Sequence, residues 1–240
     1  MRKIGSIDLN MVESVSSNTL SIITARVGSK RLPNKNILNL NGKMVFEYTI
    51  DYAKKLNTDV VVSTDSQVII NYCINNGIRY INRDKSLSTD ETKIEDVIYD
   101  VCLKLSDYNY ISLLYANIPT RYEEIFNKSM ELIKDYDCVM SFRKVEHENP
   151  EVVFPYTDDM LPMMISKEYM SQKRNNYMVH DGHTILFNTK KFKEYMQQEH
   201  KGPNYLYRQF GCKIKPLIHD NIVLDIDNLN DFKLAEAYLK

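Results

Sequence analysis

The chain has 240 residues, of which 43% are hydrophobic and 26% are charged, with 7 glycines and 7 prolines. This composition excludes a collagenous or low-complexity protein and is typical of one folded domain with a sizeable core. The 31 basic and 32 acidic residues leave a net charge of -1, which argues against binding to nucleic acid or a membrane surface through bulk charge. Any anion-binding site must therefore be local.

Cysteine usage and the N-terminal segment exclude further classes. The 4 cysteines are scattered without a C-x-x-C pair, which disfavours a zinc ribbon or a thioredoxin-like motif and predicts buried free thiols. Residues 1–19 have no apolar stretch long enough for a signal sequence, and no later stretch resembles a membrane span. We expect a cytoplasmic enzyme or binding protein, with residues 1–19 as an extension and 20–240 as its domain.

The chain alternates short β-rich runs with longer runs of helical period, which predicts parallel strands joined by helical crossovers. The predicted strands cover residues 20–24, 60–64, 110–115 and 138–142. The predicted helices cover residues 44–56, 68–75, 123–134 and 229–239. A further helix is expected behind a capping box of Thr92 and Glu95, with an apolar face that starts at Ile94. The expected architecture is a three-layer α/β fold with a mainly parallel sheet.

Residues 144–180 interrupt this alternation with prolines among polar residues and methionines. We interpret this segment as an inserted lobe, because loops and insertions on a rigid sheet often supply substrate specificity or a subunit contact. Its methionines fit a dimer contact or an adaptable pocket, with core filling as the plainer alternative; they are Met160, Met163, Met164 and Met170.

The segment ARVGSKRLPNKN, directly after the first predicted strand, concentrates positive charge. Ligands of open α/β sheets bind beyond the carboxyl ends of strands, and Gly28 and Ser29 offer backbone and hydroxyl donors to phosphate oxygens. Arg26, Lys30 and Lys35 would neutralise a nucleoside triphosphate there. The single glycine matches neither the dinucleotide-binding nor the P-loop pattern, which disfavours hydride transfer and P-loop hydrolysis. A solvated basic turn is the alternative interpretation.

Two aspartates near the C-terminus form a D-x-D motif, Asp225 and Asp227. Residues two apart share a face of an extended segment. A pair of carboxylates suits a hard cation such as Mg²⁺, which binds one or two carboxylates together with substrate phosphates and water. The alternative is that Asp227 and Asn228 only cap the helix that follows.

The loop sequence TARVGSKRLPNKNI resembles the N-terminal signature of the cytidylyltransferases that activate acidic sugars, the acylneuraminate (CMP-sialic acid) synthetases. Further matches follow in the family's order at VVVSTDS, RDKSLSTDET, SFRKVEHENP, the Asp181 and Gly182 pair, and LDIDNLNDFKLAEAYL. Together they span the chain after residue 19. The resemblance implies a Rossmann-like nucleotidyltransferase fold and a homodimer formed through the inserted lobe.

The resemblance also implies a reaction, in which a sugar hydroxyl attacks the α-phosphorus of CTP and releases pyrophosphate. Cations and Mg²⁺ or Mn²⁺ stabilise the charge on the phosphates in such reactions. By this resemblance Arg26, Lys30, Asp225 and Asp227 are catalytic, and the two aspartates are the metal ligands. The nucleotide-binding residues that it implies are Ala25, Arg26, Gly28, Ser29, Lys30, Lys35, Asn36, Arg83, Ser88 and Asp90.

The acceptor side departs from the sialic-acid enzymes, whose segment QPTSPLR appears here as YANIPTR. An acid acceptor still needs a cationic partner, for which arginine and lysine are suited. The candidate substrate-binding residues are Tyr115, Asn117, Arg143, Lys144, Lys173, Arg174 and His180. Histidines that would orient the acceptor or assist its deprotonation are His147, His180 and His183, with a structural role as the alternative.

These features predict a CTP-dependent cytidylyltransferase that transfers CMP to an acidic sugar of the nonulosonic type. One alternative keeps the chemistry and changes the acceptor to another acid, such as a phosphonate or deoxyoctulosonate. Another is a catalytically silent nucleotide-binding protein, against which the retained cations and the D-x-D pair argue. The expected partners are CTP, the acid acceptor and a second copy of the chain, with no nucleic acid and no membrane.

Overall fold

A seven-stranded sheet forms the centre of the molecule, in the order β5-β4-β1-β6-β8-β7-β9. The computed structural model describes residues 18–105, 107–145, 175–198 and 213–240. The strands of this sheet are β1 (Thr19–Ala25), β4 (Asp59–Thr64), β5 (Tyr80–Asn82), β6 (Tyr110–Tyr115), β7 (Cys138–Lys144), β8 (Met178–Asn188) and β9 (Ile214–Ile218). A separate two-stranded ribbon pairs β2 (Asn39–Leu40) with β3 (Lys43–Met44).

The sheet is mainly parallel. β1 pairs in parallel with β4 and β6, β4 with β5, and β7 with β9, whereas β8 runs antiparallel between β6 and β7. After β1 the chain builds β4 and β5 on one side and then crosses to β6 on the other side. Such a reversal of strand order opens a crevice at the carboxyl ends of the two central strands, and the loops after β1 and β6 lie there.

Helices cover both faces of the sheet. They are α1 (Val45–Ala53), α2 (Gln67–Asn75), α3 (Ile94–Lys104), α4 (Glu123–Leu132), α5 (Thr189–Met196) and α6 (Leu229–Tyr238), with 3-10 turns at Lys35–Ile37 and Lys85–Leu87. Ile23 of β1 packs into a core with Phe46 of α1 and Phe126 of α4. Its neighbour Ile22 packs into a second core with Ile98 of α3 and Phe192 of α5. Every residue of β1 is buried, as expected for a central strand covered on both faces.

Most predicted elements are confirmed, with ends that differ by a few residues. The prediction of a capping box formed by Thr92 and Glu95 is wrong. α3 begins at Ile94 behind Lys93, which makes no side-chain cap. The Thr92 hydroxyl instead accepts from the Thr89 N–H at 3.2 Å and donates to the Ser86 carbonyl at 3.2 Å, because a threonine hydroxyl serves a nearby loop as readily as a helix end.

Other expectations are confirmed or lie outside the described residues. Cys73, Cys102 and Cys138 are buried free thiols, whereas Cys212 lies outside the described residues. The four methionines and most of the inserted lobe, residues 146–174, also lie outside them, as do residues 1–17. In the part of the chain that the structure describes, no helix has the length and apolar character needed to cross a membrane.

A β-bulge in β8 brings this strand against the loop after β6. The pairing of β7 with β8 shifts register between Met140 and Phe142, and Gly182 in the bulge has φ +73°. A Cβ atom at this position would lie 2.8 Å from Ile118 Cδ1 and 3.5 Å from Tyr115 Cδ2. Gly182 therefore provides both the left-handed backbone and the close approach.

We expect Gly182→Ala to destabilise the fold by about 2–4 kcal/mol, because alanine adds the left-handed backbone penalty to a steric overlap with buried Ile118. Gly77→Ala is the matched control, since Gly77 also has a positive φ of +64° but has open space around it. Gly77→Ala is expected to destabilise the fold only through the left-handed backbone penalty, by about 1 kcal/mol. Urea unfolding of both variants measures the difference, and equal losses would contradict the proposed close packing at Gly182.

Candidate active site

The loop after β1 is held at the carboxyl end of the sheet by the residues that follow β4. The Val27 N–H donates to Asp65 Oδ1 at 2.9 Å, so the aspartate of the VVVSTDS motif fixes the start of the loop. Ser66 of the same motif caps α2 by accepting from the Ile69 N–H. At its far end the loop turns through Asn34, with φ 57°, into a 3-10 turn. These contacts hold the cationic side chains of the loop together at the carboxyl end of β1.

A cavity of about 320 Å³ opens beneath this loop. Its lining residues are Arg26, Gly28, Ser29, Lys30, Arg31, Lys35, Asn36, Asp90 and Asp227. Most of the predicted nucleotide-binding residues therefore meet in one place, together with one of the two D-x-D carboxylates. The cavity combines backbone donors, hydroxyl donors and cations, which is the chemistry that phosphate oxygens require.

The four cations of the loop are shared between two carboxylates. Arg26 Nη2 and Lys30 Nζ lie 2.7 and 2.9 Å from the two oxygens of Asp90. Hydrogen bonds from these two cations lower the pKa of Asp90. In the same way, Arg31 Nη2 and Lys35 Nζ lie 2.5 and 2.7 Å from the oxygens of Asp227. The loop thus holds its positive charge ready for an anion while the chain supplies the counter-charge.

Asn36 carries a buried acceptor beside this cavity. Its Nδ2 donates to the Arg26 carbonyl at 3.0 Å, and the residue is 7% exposed. Among the described residues its Oδ1 has no hydrogen-bond partner. Because an unpaired buried acceptor is unfavourable, a donor on a bound ligand, such as a hydroxyl or an amino group, would satisfy it.

Three predicted nucleotide contacts lie outside the lining of this cavity. Arg83 is 5% exposed and donates to the Ser63 carbonyl at 2.6 Å and to its hydroxyl at 3.1 Å, and burial lowers the pKa of Arg83 to about 10. These bonds brace the end of β4, and the contact of Arg83 with nucleotide stays a prediction. The Ser88 hydroxyl donates to the Asp84 carbonyl at 3.1 Å, and Ala25 is buried at the end of β1.

A second cavity, of about 540 Å³, adjoins the first and shares Lys35 and Asp227 with it. It is lined by Lys35, Tyr115, Asn117, Arg143, His180, Asp181, Gly182, Val223, Leu224, Asp225, Asp227, Asp231 and Leu234. Four predicted acceptor residues are therefore placed together. Lys144 instead points to Asp220, at 3.6 Å. The predicted contacts Lys173 and Arg174, and also His147, lie outside the described residues.

The D-x-D motif presents both carboxylates to this second cavity, because Ile226 between them is fully buried. Asn117 holds the segment in place. Its Nδ2 donates to Asp225 Oδ1 and, at 3.2 Å, to the Ile226 carbonyl, while the Ile226 N–H donates to the Asn117 carbonyl at 3.0 Å. Asn228 caps α6 with its own side chain, so the Asp227 carboxylate is free of the capping role that was the alternative.

The two aspartates have shifted pKa values of opposite sign. The surrounding protein shields Asp225 from solvent on most sides, and the charge of Asp227 adds to this effect, so the pKa of Asp225 is raised to about 6 even though the residue is exposed toward the cleft. At Asp227 partial burial opposes ionisation, but hydrogen bonds and charges from Lys35 and Arg31 outweigh it and lower the pKa. Asp227 is therefore the carboxylate that stays ionised most readily.

This donor set fits a divalent ion that is completed by substrate. The described residues contain no group of three or more histidine, cysteine or carboxylate side chains that would hold a metal by itself. Mg²⁺ binds in proteins through one or two carboxylates, with substrate phosphates and water as the other ligands. The mutual repulsion that raises the Asp225 pKa is relieved by a cation between the two aspartates.

Beneath the cleft, Arg121 joins the loop after β6 to β8. Its guanidinium donates to the Ile118 carbonyl at 3.1 Å, to the Tyr115 carbonyl at 2.6 Å and to the His183 carbonyl. Burial lowers the pKa of Arg121 to about 10. The arginine that the YANIPTR segment retains is therefore a structural strut under the cleft floor.

Asp181 and His219 form a buried pair that the sequence analysis missed. Asp181 accepts from the Ser141 hydroxyl at 2.5 Å and the His183 N–H at 3.0 Å, and its other oxygen lies 2.7 Å from His219 Nε2. The Asn221 N–H donates to His219 Nδ1 at 3.2 Å. The one indication of this pair in the sequence is that the polar residue His219 directly follows β9.

His183 is structural, so its proposed role toward the acceptor is wrong. The ring is fully buried. Its Nε2 accepts from the Tyr122 N–H at 2.7 Å, and Nδ1 lies 2.8 Å from the Thr184 hydroxyl. Burial, followed by the charges of Arg121 and His219, lowers the pKa of His183 to about 2. His180 is the histidine that lines the cleft.

His183 makes stability fall on acidification. Tyr52, Tyr122 and His219 pack against its ring, and Arg121 lies nearby. Below pH ~6.5 this histidine is protonated in the unfolded chain but stays neutral in the folded chain. The free energy of unfolding therefore falls by about 2 kcal/mol between pH 7 and pH 5.

We expect His183→Gln to be less stable than the wild type at pH 7 but to lose about 2 kcal/mol less over this pH range. Urea unfolding at both pH values measures this, and equal losses would refute a neutral buried His183.

Comparison with known proteins identifies a matching sequence profile and several relatives of this chain. The sequence profile described as Cytidylyltransferase matches residues 20–237. The pseudaminic acid cytidylyltransferase of Campylobacter jejuni is 28% identical over 92% of this chain and 96% of that protein. The N-acylneuraminate cytidylyltransferase of Streptococcus agalactiae serotype V is 35% identical over 58% of this chain. That match spans 35% of the relative, so the chain covers about a third of the longer protein.

Solved structures share the fold. A CMP:2-keto-3-deoxy-manno-octonic acid synthetase in complex with CTP superposes with a TM-score of 0.72 at 17% identity, covering 93% of this chain and 98% of that one. A 4-diphosphocytidyl-2C-methyl-D-erythritol synthase from Anaerococcus prevotii gives a TM-score of 0.64 at 19% identity, covering 96% and 98%. The mainly parallel sheet with helices on both faces is the α/β fold of these nucleotidyltransferases. Since the profile covers nearly the whole described domain, the chain belongs to the cytidylyltransferase family.

Proposed function

We propose that this protein transfers CMP from CTP to a nonulosonic acid and releases pyrophosphate. The observation that carries the proposal is the wall shared by the two cavities, where Lys35 and Asp227 face both. A triphosphate among the loop cations and an acid in the second cavity would meet at this wall. The names of the relatives from C. jejuni and S. agalactiae, which specify pseudaminic acid and N-acylneuraminate, support an acceptor of this type.

The contribution of the chain to the reaction is positioning and charge. In the transfer, an acceptor hydroxyl oxygen forms a bond to the α-phosphorus and its proton passes to solvent, while the bond from that phosphorus to the β-phosphate bridging oxygen breaks. Negative charge then builds on the departing pyrophosphate, where Arg26, Lys30 and Lys35 stabilise it. Mg²⁺ or Mn²⁺, held by Asp225 and Asp227, would supply Lewis-acid stabilisation of the phosphate oxygens. For this, Lys35 and Arg31 exchange Asp227 for phosphate.

The second cavity is lined by charged and by apolar side chains. Arg143 and His180 lie on β7 and β8, whereas Val223, Leu224 and Leu234 come from the C-terminal segment and α6. An arginine suits a carboxylate, while the apolar side suits acyl or methyl substituents. A cavity of about 540 Å³ is also large for a small phosphonate. These features favour a nonulosonic acid over the phosphonate alternative.

The first experiment is pyrophosphate release with Mg²⁺, comparing CTP with ATP, GTP and UTP over nonulosonic acids, deoxyoctulosonate and small phosphonates. We expect release with CTP and a nonulosonic acid. Release only with deoxyoctulosonate or a phosphonate would support the alternative acceptors. CTP binding with no release from any acid would support the silent nucleotide-binding protein and contradict the proposed transfer.

The double variant Asp225→Asn and Asp227→Asn tests the metal assignment. We expect at least a ~10³-fold loss of turnover, because both proposed metal ligands lose their charge. Asp220→Asn is the control, since Asp220 is 87% exposed in its side chain and lies outside the cleft lining. Thermal unfolding checks that the double variant is folded. Near-normal turnover in a folded double variant would contradict the role of these aspartates.

Arg143 and Lys144 provide an adjacent pair for testing the acceptor wall. Arg143 lines the second cavity, whereas Lys144 points to Asp220. We expect Arg143→Ala to raise the KM for the acid about 10-fold or more, because a charge-assisted contact to a carboxylate is lost, with the KM for CTP unchanged. Lys144→Ala is expected to change neither. Initial-rate kinetics with each substrate varied measures both constants, and equal effects of the two variants would argue against the assigned wall.

We further propose that the protein acts in the cytoplasm as a homodimer. The resemblance to the acylneuraminate synthetases supports a dimer formed through the inserted lobe, most of which lies outside the described residues. Sedimentation of the purified chain at micromolar concentration measures the oligomeric state. A monomer under all conditions that support turnover would contradict the dimer while leaving the proposed chemistry intact.

A further inference from the structure

Asp90 places a carboxylate among the cations of the nucleotide cavity. Its Oδ1 lies 2.7 Å from Arg26 Nη2 and its Oδ2 lies 2.9 Å from Lys30 Nζ, so both oxygens are engaged. Asp90 also lines the cavity itself. A carboxylate held by an arginine and a lysine uses the same donor groups that bind a phosphate. The chain therefore presents an anion of its own where a triphosphate needs its cations.

The ion pairs of Asp90 with Arg26 and Lys30 are exposed enough for a ligand to displace the carboxylate. The side chains of Arg26 and Asp90 are about one-third exposed, at 34% and 37%, and that of Lys30 is 80% exposed. Ion pairs with this much solvent are weak individually, and a triphosphate carries several negative charges against the single charge of Asp90. A nucleotide can therefore reach these cations and displace the carboxylate.

We propose that Asp90 is an internal competitor for the nucleotide phosphates and that it limits the affinity of the site for its nucleotide. The inference rests on the proposed function in that the ligand is CTP. Arg26 and Lys30 cannot serve the carboxylate and the phosphates at full strength together. Each binding event therefore includes displacement of Asp90, which belongs to the segment between the 3-10 turn Lys85–Leu87 and α3. When products leave, Asp90 re-pairs with both cations.

The opposite role for Asp90 makes an opposite prediction. If Asp90 served mainly to hold Arg26 and Lys30 in the orientation that phosphates require, its removal would loosen both side chains and weaken binding. If it competes, its removal strengthens binding. The sign of the change in affinity therefore separates the two roles, and the size of the change does not decide between them.

Calorimetric titration of the wild type, Asp90→Asn and Glu91→Gln with CTP, inorganic pyrophosphate and cytidine tests the proposal. Glu91→Gln removes the same charge one residue away, from an exposed side chain outside the cavity lining. We expect Asp90→Asn to bind CTP and pyrophosphate about 3- to 10-fold more tightly, from the loss of two exposed ion pairs. Glu91→Gln is expected to match the wild type. Cytidine has no phosphate and is expected to bind all three proteins equally.

Three results would overturn the inference. Weaker or unchanged binding of CTP and pyrophosphate by Asp90→Asn would show that the carboxylate does not compete. Equal tightening in Glu91→Gln would assign the effect to net charge. If the wild type and both variants all failed to bind CTP and pyrophosphate, the proposed function would fall together with the inference, whereas wild-type binding without tightening removes only the role of Asp90. Asp90→Ala, expected to tighten binding as Asp90→Asn does, guards against a variant that fails to fold.

Discussion

The ion pair between Lys35 and Asp227 joins the two ends of the described domain at the place where its two cavities meet. Lys35 Nζ lies 2.7 Å from Asp227 Oδ1, and the lysine side chain is 16% exposed. The loop after the first strand and the segment before the last helix are thereby fixed against each other across 192 positions of sequence. The contact lies where the cationic loop meets the D-x-D segment, and both of its residues line the two cavities.

The sheet makes this contact possible because its central strands end at one edge. β1 and β6 are parallel neighbours, and their register is unbroken from Thr19 opposite Tyr110 to Thr24 opposite Tyr115. Their following loops therefore emerge side by side. Arg121, bonded to three carbonyls, closes the layer beneath them. A polar cleft can rest on an apolar core here because the buried guanidinium and the Thr49 hydroxyl both donate to main-chain carbonyls of the loop after β6.

Features that depend on local sequence were predictable. The strands and helices follow from hydrophobic period, and the loop cations converge because they are close in sequence and follow a strand. The capping box failed because the Thr92 hydroxyl had two candidate uses, a helix end or a loop, and sequence spacing does not rank them. The spacing of the D-x-D motif predicts that its two carboxylates share a face, and both line the cleft because Ile226 between them is buried.

Features that depend on distant contacts were not predictable. The bonds from Arg83 to Ser63 join two neighbouring strands, and this packing buries the guanidinium. The Asp181 and His219 pair, and the clamp of Asn117 on Asp225, join residues far apart in the sequence. Burial decides the role of His183, and burial is a property of the assembled layers.

The apolar wall of the acceptor cavity also has a consequence for altering what the protein accepts. Leu234 is 56% exposed and Val223 is partly exposed, so these two side chains contribute little to the core, whereas Leu224 packs against it. The opposite wall is backed by Gly182 and the fully buried Ile118, where an added methyl group has no room. Libraries that seek new acids should therefore diversify Val223 and Leu234, where substrate scope can change at small cost to folding, and leave the bulged strand and the D-x-D motif untouched.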